Sequence, residues 1–138
     1  MRIVSRTARS VREQQREKAM RLREDAGTLA IAFPRAEFVR IHLQFVTKAG
    51  PALSPRTHDL YPSAQAYFEF ACPHGDCDAS IDLNDAARAL LRTGKTEVAG
   101  TIHCLGTRSG DGVVRPSCNQ RVDYWIVARY RTLSRAGS

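Results

Sequence analysis

Lysine is almost missing from this chain: three stand against eighteen arginines in 138 residues. Long apolar runs are missing too, and nothing approaches the ~20 consecutive apolar residues a membrane helix needs. No apolar stretch follows the first arginines, so a secretory signal is not expected and the cytoplasm is the expected compartment. There is no internal repeat, no heptad pattern and no compositional bias of the collagen or mucin kind. Catalytic signatures are absent as well. The chain has no His-Glu-x-x-His, Gly-x-Ser-x-Gly, Gly-Lys-Ser/Thr phosphate loop or Gly-x-Gly-x-x-Gly. His42, His58, His74 and His103 are followed two residues later by Gln, Leu, Asp and Leu, so the deaminase His-x-Glu is missing. The expectation is a protein that is not an enzyme and has no small-molecule substrate.

What is present is positive charge. Twenty-one basic against fourteen acidic residues give +7, which favours anionic partners. Residues 1–25 hold eight basic and four acidic groups, so more than half of the excess lies in the first fifth of the chain. Glu13 with Arg16 and Glu17 with Arg21 fall at helical spacing, which predicts a basic helix or arm over 1–27. Three roles are open to it: an arm gripping phosphates, an organellar presequence, or a solvated helix packing Val11, Met20 and Leu22 on a single domain over 28–138.

Alternation dominates that domain. Glu37–Thr47 puts Val39, Ile41, Leu43 and Phe45 on one face and Arg40, His42 and Gln44 on the other. Residues 49–63, with three prolines and a glycine, cannot be a central strand. Strands are expected at Ala64–Ala71, Ser80–Leu83, Thr96–His103 and Arg121–Arg131. Asn84 is a candidate N-cap, and Ala86, Ala87, Leu90 and Leu91 give a short inserted helix ended by Gly94. The class is α+β, with a mostly antiparallel sheet of about five strands. The core should add Phe68, Phe70, Ile81, Leu83, Val98, Ile102, Val122, Tyr124 and Ile126.

Cys72, Cys77, Cys104 and Cys118 fall at strand ends, separated by 4, 26 and 13 residues. Zinc takes four thiolates tetrahedrally, and turns at strand ends can deliver them, helped by Pro73, Gly75 and Gly106 where the backbone must curl. Two disulfides, or four unrelated buried thiols, are the competing uses. His74 or His103 could replace a neighbouring cysteine, although adjacent histidines more often support ligands than serve as them. Asp76 and Asp78, flanking Cys77, read as polar groups of an exposed turn. With its Cys-Pro start and Cys-x-Gly at Cys104, the stretch 64–131 resembles the zinc-ribbon group. That resemblance implies a structural zinc and a nucleic-acid or protein partner. The chain departs from the group in its wider first turn, its inserted helix and the long finger before Cys118.

The surface clue is the row Arg121, Asp123, Trp125, Val127, Arg129, Arg131 on the last strand. An aromatic ring between guanidinium groups is a stacking platform for single-stranded RNA or DNA, with Arg40 beside it and Arg108 and Arg115 on the finger as phosphate contacts. The competing readings are that Trp125 belongs to a second core face, or that the protein is a zinc-stapled adaptor, with Leu60 and Tyr61 as its contact surface.

Overall fold

Two long alternating strands, from opposite ends of the chain, make the centre of the molecule. In the computed structural model, which describes residues 8–48, 53–108 and 116–132, β1 is Ala36–Val46 and β6 is Arg121–Tyr130. They pair antiparallel, with Ile41 opposite Ile126 and Leu43 opposite Tyr124. β2 (Arg56–Leu60) and β5 (Glu97–His103) flank them, giving the order β2-β1-β6-β5. A second antiparallel sheet is formed by β3 (Glu69–Ala71) and β4 (Ser80–Asp82).

The expected single sheet of about five strands is thus divided into four plus two. Two local readings also change. β2 lies inside the proline-rich 49–63 segment, tolerated there because it is an edge strand. The strand expected at Ala64–Ala71 is reduced to its last three residues. Upstream, the Ala64 carbonyl accepts from Leu29 N–H and Ala66 N–H donates to the Gly27 carbonyl, so this stretch anchors the N-terminal segment instead of a ladder.

The basic helix α1 runs Ala8–Ala26 and ends at Gly27, whose φ of +72° is left-handed. Met20 (59% exposed) and Leu22 (45%) do not bury as the solvated-helix reading expected, and the side chain of Val11 lies outside the description. A four-residue helix, α2 (Leu29–Ala32), follows, and Leu29 enters the core. α3 (Asn84–Thr93) buries Ala87, Leu90 and Leu91 and stops at Gly94, also at φ +72°. Asn84 is its first residue, not its cap. Asp82 Oδ1 accepts from the Asn84 N–H at 2.9 Å, while Asn84 Oδ1 accepts the Phe68 N–H at 2.8 Å.

The core lies on one face of the four-stranded sheet. Val39, Ile41, Leu43, Val122 and Ile126 are fully buried against Phe68, Ile81, Leu83 and α3. Phe70, Val98, Ile102 and Tyr124 pack at its margin. Among the described residues, no helix is long and apolar enough to cross a membrane.

Candidate metal centre and exposed sheet face

The four cysteines converge at one end of the sheet. Their sulfurs all lie within 4.8 Å of one another, with Cys72–Cys118 at 3.6 Å and Cys77–Cys104 at 3.5 Å. Four sulfurs at ~2.3 Å from one ion stand roughly 3.8 Å apart, so the cluster is of the size that one tetrahedral ion requires. The thiols are free, and separations of 3.6 and 3.5 Å far exceed a disulfide bond of ~2.04 Å.

Each turn is shaped by its backbone. N–H groups of His74, Ala79 and Gly106, two residues beyond Cys72, Cys77 and Cys104, bond to their sulfurs. Cys77 N–H donates to His74 O at 3.1 Å, closing the first turn. Across the site, Cys118 N–H donates to Gly106 O at 2.8 Å and Asn119 N–H to Cys104 O at 3.1 Å. Asn119 makes this return with a φ of +47°, a conformation that Asn tolerates better than most residues. Burial pushes the Cys104 thiol up to about 12 and Cys72 higher still. At Cys77 burial also pushes upward, but the Ala79 N–H and the neighbouring thiols outweigh it and leave its pKa below the usual range. Loading an ion therefore displaces protons.

Three polar side chains hold the turns together. Asp78, expected to be an exposed turn residue, accepts from Thr107 N–H and Thr107 Oγ1, each at 2.7 Å, and so ties the first turn to the second. Asp76 pairs with Arg108 Nε at 3.0 Å. Gln120 is the buried hub: its Oε1 meets His74 Nε2 at 2.8 Å, and its amide donates to the carbonyls of Val46 and Arg121. His74 thus contacts Gln120, and exposed His103 lies on the outer sheet face; the sulfur cluster is all cysteine. The Cys-Asn-Gln sequence carried the signal for this turn, an Asn suited to left-handed backbone followed by a polar residue just ahead of the last strand.

Gly106 permits the close approach. A Cβ there would lie 2.7 Å from Cys77 Sγ and from Ala79 Cβ. Gly106→Ala is therefore expected to displace that sulfur and weaken metal retention by tenfold or more, consistent with ~1–3 kcal/mol of overpacking. Gly75→Ala, whose Cβ meets nothing within 4 Å, should retain metal as the parent does. Chelator competition measures both.

On the opposite face of the four-stranded sheet, Trp125 is 49% exposed, so it is not part of a second core face. It stands opposite His42 on β1 and Ala99 on β5. Arg129 lies over the Phe38 ring at 5.2 Å, Arg40 lies over the same ring at 5.4 Å, and Tyr61 packs against it at 5.2 Å. This aromatic pair was not anticipated. Phe38 follows the Arg40–His42 parity, but a bulge between Ala36 and Phe38 lets Ala36 point inward as well. Arg40 is paired with Asp59 at 2.7 Å and Arg121 with Asp123 at 3.1 Å. Arg131 is exposed just beyond β6, its N–H bonded to Arg35 O. Arg108 belongs to the metal-end turns and does not join this face, and Arg115 lies outside the described residues. Leu60 packs against the core, leaving Tyr61 as the exposed member of that pair.

Fold and site together define a small α+β protein with a four-cysteine cluster able to hold a metal ion. No family model, curated protein or solved structure matches the chain, and none assigns it to the zinc-ribbon group.

Proposed function

We propose that the protein is a small structural-zinc protein, without catalytic activity, that binds single-stranded RNA or DNA on its exposed sheet face. The zinc assignment is supported by the donor set. Four thiolates, three of them with N–H···S bonds, suit zinc and complete a tetrahedral sphere, leaving no position for a reacting water. The binding assignment is carried by Trp125, half exposed in the middle of a sheet face left open among the described residues, with the Arg40, Arg129, Phe38 and Tyr61 cluster along one side. A base stacks on an aromatic ring while guanidinium groups hold its phosphates.

A labelled single-stranded oligonucleotide titrated by fluorescence anisotropy tests this. Affinity should fall steeply with salt as counterions return to the strand. Trp125→Ala should weaken binding about tenfold or more, the loss of one stacked base, and Arg129→Ala should flatten the salt slope. The mutual neutralisation of Arg40 with Asp59 and of Arg121 with Asp123 favours a second reading, a protein partner. Salt-insensitive binding untouched by Trp125→Ala would overturn the nucleic-acid reading in favour of that adaptor.

A further inference from the structure

The four-stranded sheet has two outer edges, and the structure treats them differently. Beside β2, Arg56 reaches Ala71 O at 3.0 Å and His58 stacks on Phe70 with centroids 4.4 Å apart, so the small sheet lies against that side. β5 has no strand beyond it among the described residues. Its direction of bonding follows from its ends: Ala128 N–H donates to Thr96 O, and Cys104 N–H donates to Gln120 O. Antiparallel bonding alternates, so Val98, Gly100 and Ile102 turn their backbone groups to β6. Glu97, Ala99, Thr101 and His103 turn theirs outward. Proteins normally guard such an edge with proline, lysine, a bulge or brevity. β5 has seven residues, no proline or lysine, and an unbroken register. Leu105, 92% exposed, lies just past its end.

We propose that β5 pairs antiparallel with β5 of a second copy of this chain about a two-fold axis at Gly100, joining the two sheets into one. The strand is complementary to itself under that operation. Glu97 of one copy faces His103 of the other, Val98 faces Ile102, and Ala99 faces Thr101. On the outer face a carboxylate meets an imidazole, which donates a hydrogen bond in either charge state. On the inner face two β-branched side chains meet, a favourable cross-strand pair. The outward backbone groups of both copies are all used, in about eight new hydrogen bonds. Moving the axis to Ala99 or Thr101 breaks the Glu97–His103 match, so the charges select Gly100. This pairing is independent of what the Trp125 face binds.

Sedimentation velocity on the metal-loaded full chain, without nucleic acid, tests the pairing over about 1 to 100 µM, where mass action separates monomer from dimer. The expected result is a concentration-dependent rise to the mass of two chains. Ala99→Pro removes an N–H that β6 does not use and places a ring where the second strand must approach. It should keep the circular dichroism of the parent, and its melting temperature at the dilute end of that range, yet weaken dimerisation at least tenfold. Glu97→Lys should weaken it as well, and combining Glu97→Lys with His103→Glu should restore it. A parent chain that stays monomeric throughout the range overturns the proposal, including the case in which the edge takes a foreign strand instead. A dimer unaffected by both Ala99→Pro and Glu97→Lys overturns it equally.

Discussion

Removing the proposed zinc from the purified protein with a strong chelator is expected to unfold it cooperatively. The expectation rests on where the cluster sits. The sulfur contacts Cys72–Cys118 and Cys77–Cys104 each join the turn leaving β3 to chain from the far half of the sheet. Without an ion, the two turns are held mainly by Asp78 on Thr107, Asp76 on Arg108 and Gln120 on His74. Structural zinc contributes roughly 10–16 kcal/mol in small domains, as large as the ~5–15 kcal/mol by which most domains are stable at all. Native mass spectrometry should find one zinc per chain, and far-UV circular dichroism should collapse as it leaves. Cys104→Ala leaves three sulfurs, and metal affinity should fall by more than the roughly 10–100-fold that loss of an outer supporting group costs. An unchanged spectrum and melting point after complete chelation would show that the sheet stands without the staple.

The second large effect is expected in the core. Phe68 is fully buried, its N–H donates to Asn84 Oδ1, and its carbonyl accepts from Leu83 N–H at 2.8 Å. It therefore fastens the start of α3 to the segment that enters β3, while its ring fills the core. Phe68→Ala removes the ring and leaves a cavity, which costs ~3–5 kcal/mol at such positions. Urea titration of the metal-loaded protein should show that drop in full, whereas Phe68→Leu should lose a fraction of it. A loss below about 1 kcal/mol would mean that the site collapses freely and that the two sheets are not coupled through this ring.

The periodic elements were readable in the sequence. The parity of residues 39–45 and 122–130 marked the buried side of β1 and β6, and the apolar face ahead of Gly94 marked α3, because burial on one face imposes its period on the residues. β2 was not readable. Its five residues lie among prolines, and its place depends on pairing with β1 across a loop. The truncation of the strand before Cys72 was hidden for a related reason. Ala64 and Ala66 spend their backbone groups on Leu29 and Gly27, a tertiary choice that local alternation does not encode.

The cysteines announced themselves by position and number, and their convergence is what the strand-end placement implied. Their supports did not. Asp78 and Gln120 look like ordinary polar residues until the turns are brought together, at which point one becomes a clamp and the other a buried junction. The surface row was readable at Trp125, but ion pairing of Arg40 and Arg121 depends on which acid lies on the adjacent strand or two residues along.

The pairing of β1 with β6 has a consequence for the birth of the protein. Its central ladder joins residues 36–46 to residues 121–130, so all of the chain between them must be synthesised before the middle of its sheet can close. Until then β1 has short β2 on one edge and nothing on the other, an unpaired edge open to unwanted association. Long-range closure of this kind slows folding toward the millisecond-to-second regime. An ion captured as Cys118 emerges would draw the last strand to its place, making metal supply a determinant of how quickly the chain leaves that exposed interval.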